Sequence, residues 1–175
     1  MRALLIGAVV ASLVVATSAR AHQTEAQRSI VVQVEDGKAL FLISWTAPSG
    51  NLGRLMTARA SLSSSPKDTL KALMLQHALA SLTIELNGKP VIMDRVDSKL
   101  TLDTSSLRRH TVTLLGQKKL PASATLVIAN RSGEATRLAW SDRSGKSTKV
   151  RANKRAGAWT REPISVDIRP TQSHR

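Results

Sequence analysis

The dipeptide Asp36-Gly37 constrains the fold of this chain more than any other feature, because it separates two apolar runs. Asp-Gly favours the two-residue turns whose twist matches that of antiparallel strands, so residues 29–45 are predicted to form a β-hairpin. In the first run, apolar and polar residues alternate as they do where one face of a sheet meets a core. The second run, residues 39–45, is apolar almost throughout, which predicts a strand covered on both faces.

Further strands are predicted along the rest of the chain. Asn87-Gly88 is a second turn dipeptide and predicts a hairpin over residues 82–93. Other runs with the residue types of strands are 99–103, 109–115, 124–130, 135–141 and 164–168. About eight short strands without a regular strand–helix alternation predict a mainly β chain, an antiparallel β-sandwich of the Ig-like type. Residues 130–137 and 142–149 share one pattern, which predicts two successive turns of a meander.

One α-helix is predicted to be inserted in this framework, from about residue 66 to residue 80. Ser65 suits the N-cap, Pro66 suits the first helical position, and Asp68 lies where its charge favours the N-terminus. Four side chains share one helical face: Leu70, Leu73, Met74 and His77. His77 is therefore predicted to be a hydrogen-bonded core histidine. In the preceding residues, 46–54, the strand pattern is broken by Pro48, Gly50 and Gly53.

The N-terminus has the composition of a secretory signal peptide. A short basic start precedes an apolar run over residues 3–16, and Ala19 and Ala21 form an A-x-A cleavage pattern. A spanning helix needs roughly 20 apolar residues, so this run favours cleavage after Ala21 over an uncleaved anchor. We therefore expect an exported chain, periplasmic or extracellular. The predicted organisation is a signal peptide (1–21), a single β-sandwich domain (22–170) and a flexible tail (171–175).

Composition narrows the chemistry of the exported chain. The sequence contains no cysteine, so core packing has to hold the fold without disulfides, and thiol catalysis and cysteine-ligated metals are excluded. Without Arg2 and Arg20, 24 Lys and Arg stand against 12 Asp and Glu, a net charge of +12. A field of that sign attracts polyanions. With three Trp, one Phe and no Tyr, the chain offers few faces on which bases or sugars could stack.

The basic residues concentrate in the C-terminal third of the chain. Eight Lys and Arg and one acidic residue, Asp142, lie between Arg137 and Arg161. If this segment is a long hairpin loop, it forms a cationic finger that binds phosphate-rich polymers less tightly as salt rises. The predicted anion-binding residues are Lys146, Lys149, Arg151, Lys154, Arg155 and Trp159. The alternative is a solvated loop that contacts nothing.

A histidine at the new N-terminus raises a second hypothesis. After cleavage, the α-amine and the Nδ1 atom of His22 could chelate one metal ion, and these ligands favour Cu(II). A second imidazole would have to come from His77, His110 or His174. His110 is the weaker of the two metal-ligand candidates, because it follows two arginines whose charges repel a cation. The alternative is that His22 is merely the residue that the peptidase leaves.

No motif favours an enzyme. Residues 144–148, SGKST, end like a phosphate-binding loop, but Trp140 stands where that motif requires glycine. The chain has no G-x-S-x-G nucleophile motif and no marked pair of carboxylates on one element. We therefore predict no catalytic residue, and no cofactor other than the candidate copper ion.

Four features in order resemble the extracytoplasmic N-terminal region of HupE/UreJ-type membrane proteins. They are AHQ after the signal, a strand ending in SWTAP, a helical insert and LTIELNGKPV. The resemblance covers about residues 21–130 and rests on order and spacing. That family is linked to metal handling, so the resemblance implies an extracytoplasmic sandwich domain and supports His22 as a ligand. It transfers no catalytic residue, and this sequence lacks the membrane helices of that family.

These observations predict an exported binding or structural module of the cell envelope. Its basic face would contact an anionic partner, either an envelope polymer or lipid head groups, and a membrane protein is a further candidate partner. No specific nucleic acid is expected as a partner. Two alternatives stay open: a periplasmic copper-binding protein that uses His22, and a structural domain without a ligand.

Overall fold

A computed structural model describes residues 27–35, 37–48, 50–102, 109–131, 136–145 and 148–170. The predicted signal peptide, His22, Lys146, His174 and the predicted tail lie outside these residues. The described part contains ten strands and two helices. In chain order they are β1 (Gln27–Glu35), β2 (Lys38–Thr46), α1 (Asn51–Ser61), α2 (Pro66–Leu79), β3 (Leu82–Leu86), β4 (Lys89–Pro90), β5 (Arg95–Thr101), β6 (Thr111–Lys119), β7 (Ala124–Asn130), β8 (Thr136–Asp142), β9 (Thr148–Ala152) and β10 (Ile164–Pro170).

The strands form two sheets, with the orders β5-β6-β2-β1-β8 and β4-β3-β7-β10-β9. One buried cluster draws its side chains from both sheets, so the sheets share a core. The prediction of a mainly β, sandwich-like chain is confirmed, with ten strands in place of about eight and two helices in place of one. Within the described residues every strand pair is antiparallel except β1 with β8, which is parallel. The Ig-like topology stays a prediction.

The first predicted hairpin is confirmed by the pairing of β1 with β2. Glu35 pairs with Lys38, so the turn has two residues, and Gly37 adopts a φ of 72°. Burial alternates along β2: Phe41 and Ile43 are fully buried in the core, whereas their neighbour Leu42 is half-buried on the outer face. The prediction that this strand is covered on both faces is therefore wrong. Apolar side chains on one face of this interior strand fill the core, and those on the other face lie at the outer surface of the sheet.

The second predicted hairpin is also confirmed, as β3 and β4. Asn87 and Gly88 adopt φ values of 53° and 75°, as expected for a two-residue turn in which both central residues need positive φ. The side-chain oxygen of Asn87 accepts a hydrogen bond from the Thr125 backbone N–H at 2.8 Å. The turn is thus tied to β7, the strand next to β3 in the same sheet.

The strand pattern ends at Thr46, as the sequence predicts, and a helix that was not predicted, α1, begins soon after, at Asn51. Gly53 lies inside this helix, where a Cβ atom would come within 2.9 Å of the Pro48 carbonyl oxygen. Glycine here permits the first turn of the helix to pack closely against the preceding backbone. Gly53, which breaks the strand pattern in the sequence, thus allows the helix to begin close to Pro48.

The predicted helix is confirmed as α2, over Pro66–Leu79. Ser65 occupies the N-cap position, but its side chain makes no capping hydrogen bond. Of the predicted inner face, Leu70 and Met74 are buried in a second core cluster beneath the two helices, and Leu73 and His77 are half-buried. The His77 ring lies 4.7 Å from the ring of buried Trp45, at an interplanar angle of 47°.

A buried arginine joins the two sheets and helix α2. Arg28, on the inner face of β1, is only 2% exposed. Its guanidinium donates to Ser81 Oγ at 2.6 Å, to Asn130 Oδ1 at 3.1 Å and to the His77 carbonyl oxygen at 3.0 Å. That carbonyl lies in the last turn of α2, where a positive charge is favourable to the helix dipole. Asn130 in turn donates to Thr136 Oγ1 at 2.9 Å.

Asp94 lies just before β5 and holds it to β6, and its carboxylate makes part of the folding stability depend on pH. Its carboxylate accepts hydrogen bonds from Lys118 Nζ at 2.8 Å and from the Lys119 backbone N–H at 2.7 Å. These donors lower the pKa of Asp94 below its ordinary value of 3.8. A carboxyl whose pKa is lower in the folded state stabilises the fold above its unfolded pKa, and this contribution is lost as pH falls through the folded pKa.

We therefore expect Asp94→Asn to melt below the parent at neutral pH, because the charge-assisted hydrogen bonds are lost. The gap between the two melting temperatures should narrow as pH falls below 3.8, where the parent also loses the carboxylate. Thermal melts from pH 7 to pH 2 measure this gap. Asp97→Asn serves as the control, because the exposed Asp97 carboxylate accepts a local hydrogen bond, from the N–H of the next residue, Ser98, at 2.7 Å. A gap that does not vary with pH would contradict this role of Asp94.

Candidate anion-binding face

The prediction that residues 137–161 form a single long cationic loop is wrong, because part of this segment forms a strand at the edge of a sheet. Residues Thr148–Ala152 are β9, which pairs antiparallel with β10 at the edge of the second sheet. Val150 and Ala152 pack against the shared core, while Lys149 and Arg151 between them are exposed. Two small or apolar residues facing inward are enough to hold a short edge strand whose other side chains carry charge.

The register of β9 with β10 brings exposed cations together on one side of the sheet. Lys149 lies directly opposite Arg169, and Arg151 lies directly opposite Asp167. Lys149, Arg151 and Arg169 are all exposed. Side chains two residues apart on a strand share a face, and opposed residues in a register share it too. We call these three side chains the basic face.

One carboxylate lies beside the basic face. Asp167 Oδ1 accepts a hydrogen bond from Thr125 Oγ1, on β7, at 2.7 Å. Asp167 is half-buried, and its opposite charge favours the cross-strand position of Arg151. By contrast, Lys149 and Arg169 are like charges in directly opposed positions, an arrangement that destabilises a strand pair. The free end of the strand pair therefore carries a positive field that an anion would relieve.

The rest of the predicted finger does not project from the protein. The Trp140 side chain, on β8, donates through Nε1 to the Lys154 carbonyl oxygen at 2.7 Å. The Gly157 N–H donates to the Trp140 carbonyl oxygen at 2.8 Å, and Thr160 forms a β-bridge with Leu138. Residues 153–163 therefore lie along β8, the edge strand of the first sheet. We call this stretch the covering segment.

Within the covering segment, one predicted anion-binding cation is paired. Lys154 Nζ forms an ion pair and hydrogen bond with Glu162, which lowers the pKa of that carboxyl below its ordinary value. Arg155 is exposed in the turn after β9, and Trp159 is half-buried. The strand register thus brings Lys149 and Arg151 together, whereas Lys154, Arg155 and Trp159 belong to the separate covering segment. Lys146 lies outside the described residues.

Arg169 is the residue that sequence reasoning missed. Ile164, Val166 and Ile168 face inward along β10, so the alternate positions Ser165, Asp167 and Arg169 face outward. The alternation was visible in the sequence. The opposed position of Lys149 was not, because that pairing depends on β9 being a strand.

The candidate metal ligands are not gathered into a site in the described part of the chain. His22 and His174 lie outside it. His110 is half-buried, its Nδ1 atom is enclosed by protein, and its carbonyl oxygen accepts from the Ala47 N–H at 3.0 Å. Within the described residues, no group of three or more His, Cys, Asp or Glu could hold a metal ion. Copper binding by His22 stays a prediction.

A shallow groove of about 430 Å³ lies on the other sheet, across β2, β5 and β6. Its lining is mainly apolar, with one carboxylate and one arginine among the side chains. The lining residues are Leu40, Arg95, Val96, Asp97, Leu115, Gly116 and Gln117. None of them belongs to the basic face, so the groove and the basic face are separate surfaces.

Comparisons with known proteins give this chain no family. No family model matches the sequence, and a search of curated proteins finds no significant match. The resemblance to HupE/UreJ-type proteins therefore stays a prediction. Neither helix in the described residues has the length and apolar composition that crossing a membrane requires.

Proposed function

We propose that this protein is an exported binding module of the cell envelope whose basic face contacts an anionic polymer. The observation that carries the proposal is the direct opposition of Lys149 and Arg169 on the exposed side of the β9–β10 pair. Two like charges held opposite each other repel and so destabilise the strand pair, whereas a phosphate or carboxylate bound between them attracts both. Arg151 adds a third donor on the same face.

The composition of the basic face favours a polymer over a lipid bilayer. The large hydrophobic side chains that are exposed in the described residues all lie on other elements. A flat, cationic strand pair without apolar side chains suits a chain of phosphates or carboxylates that runs across it, whereas membrane insertion needs apolar anchors. No catalytic step is assigned to this face.

Retention on an immobilised polyanion tests the proposal. The variant carries Lys149→Gln, Arg151→Gln and Arg169→Gln, and the probe is inorganic polyphosphate coupled to a resin. We expect the variant to elute at a much lower salt concentration than the parent, because three contacts to the polymer are lost. Matched substitutions at other exposed cations, Arg95→Gln, Lys99→Gln and Arg131→Gln, remove the same charge and should shift elution far less.

Two outcomes would contradict the proposal. Equal elution of the parent and the basic-face variant would show that these residues bind no polymer. Equal shifts for the basic-face variant and its matched control would show that only net charge matters. Vesicles with anionic head groups form a separate arm, and a basic-face variant that loses more retention on vesicles than on polyphosphate would replace the polymer by a lipid surface as the partner of this face.

A further inference from the structure

Helix α1 and the turn that follows it present two leucines to solvent. We call α1, the turn over residues 62–65 and α2 the helical hairpin. Leu62, at the C-cap of α1, is 90% exposed, and Leu55, on α1, is 67% exposed. Removing a leucine side chain from water is favourable, so two exposed leucines on one side of a helix mark a surface that a partner can cover.

Their position on α1 is fixed by the packing of its other side. Leu55, Arg59 and Leu62 are four and three residues apart, so they form one stripe along the helix. On the opposite side, Ala60 is buried and Met56 packs against it in the core beneath the helices. The helix cannot turn the leucines inward without exposing that core.

The surroundings of the stripe are positively charged. Helix α1 contains Arg54 and Arg59 and no acidic residue. Both arginines are exposed, and Arg54 also donates to Asn51 Oδ1 at 3.0 Å. Lys67 is exposed at the start of α2, across the turn from Leu62. Apolar side chains flanked by long cationic ones match the boundary between acyl chains and anionic head groups.

We propose that the helical hairpin docks on a lipid surface that carries anionic phosphate head groups. Leu55 and Leu62 enter the edge of the acyl region, while Arg54 and Arg59 contact lipid phosphates. The charge complementarity selects lipid over an apolar protein groove, because the guanidinium groups beside the leucines need anions at the same depth. This surface lies on different elements from the basic face, and it binds a different class of partner.

Co-sedimentation of the full exported chain with vesicles tests the proposal. The vesicles contain phosphatidylcholine alone or phosphatidylcholine with one quarter phosphatidylglycerol. We expect binding to the mixed vesicles and an affinity reduced at least about tenfold by Leu55→Ser with Leu62→Ser, because both apolar anchors are lost. Arg54→Gln with Arg59→Gln should lower the affinity by about fivefold for each arginine.

A matched control keeps the test specific. Ile92 is 81% exposed but lies after β4, outside the helical hairpin, so Ile92→Ser should leave vesicle binding unchanged. All the substituted residues are exposed, and thermal melts should confirm that each variant folds as the parent does. The leucine variant should also keep the parent's retention on polyphosphate, so failure of this proposal is distinguishable from failure of the basic face.

Three results would overturn the proposal. The first is a parent that binds mixed vesicles no better than phosphatidylcholine alone. The second is a leucine variant with the vesicle affinity of the parent. The third is a concentration-dependent dimer in analytical ultracentrifugation that the leucine substitutions abolish, since the hairpin would then be covered by a second copy of the chain.

Discussion

Replacement of Arg28 by methionine should lower the free energy of unfolding by about 2–3 kcal/mol, because the neutral acceptors around its guanidinium lose their donor. The guanidinium donates to three oxygens on different parts of the fold, those of Ser81, Asn130 and His77. Methionine fills much of the same volume but donates to none of them. The buried acceptors then lose a strong donor, which costs more than the net value of each hydrogen bond.

Chemical denaturation with a far-ultraviolet readout measures this change. Arg131, which follows the last residue of β7, is exposed, and Arg131→Met should change stability by no more than about 0.5 kcal/mol. Arg28→Lys should also destabilise the protein, because an ammonium lacks the planar fork that reaches several acceptors at once. A loss below about 1 kcal/mol for Arg28→Met would contradict the view that this residue joins the two sheets and helix α2.

Truncation of Trp140 should have the second large effect, a loss of about 3–5 kcal/mol for Trp140→Ala. The indole is buried between the sheets, and its Nε1 donates to the covering segment at Lys154. Loss of the ring therefore removes core volume and also loosens residues 153–163. Trp140→Phe should lose about 1 kcal/mol, because it keeps most of the ring contacts and loses the hydrogen bond.

Limited trypsin digestion measures how far the Trp140 substitutions loosen the covering segment. Lys154 and Arg155 lie in the covering segment, and cleavage there should be faster in both Trp140 variants than in the parent. Ile92→Ser, at an exposed position away from the segment, serves as the control and should be cut at the parental rate. Unchanged cleavage in Trp140→Ala would show that the hydrogen bond does not hold the segment to β8.

The elements that could be predicted from the sequence are those whose conformation is determined by residues close together in the chain. Asp36-Gly37 and Asn87-Gly88 specify their own turns through positive φ, and the strands on either side follow from alternation. Helix α2 likewise follows from the proline at its start and from the spacing of its apolar residues. Helix α1 could not be read this way, because Gly53 is required by a contact with Pro48.

The pairing of strands depends on distant residues, and this is where the sequence-based predictions were wrong. The similar segments 130–137 and 142–149 predict turns of a meander, yet β7 and β9 belong to one sheet and β8 to the other. The connections before and after β8 both cross between the sheets, and β8 becomes the parallel neighbour of β1. Nothing in the two short segments distinguishes a turn within a sheet from a connection between sheets.

For the candidate site too, the sequence shows which cations are present, but their neighbours depend on residues far apart in the chain. The abundance of Lys and Arg near residue 150 drew attention to Lys149 and Arg151, and the structure places both side chains at the surface. Charge alone could not show that Arg169 lies opposite Lys149, or that Glu162 pairs with Lys154. Both facts follow from which strands are neighbours, and they change which cations form a common face.

The salt dependence of polyphosphate binding tests the basic face most directly. Each cation–phosphate contact that binding makes contributes roughly 0.7–0.9 to the slope of log K against log salt. Loss of the three cations in Lys149→Gln, Arg151→Gln, Arg169→Gln should therefore reduce the slope by about two to three, while the Arg95→Gln, Lys99→Gln, Arg131→Gln control keeps the parental slope. A basic-face variant with the parental slope would contradict the assignment of this face as the polymer-binding site.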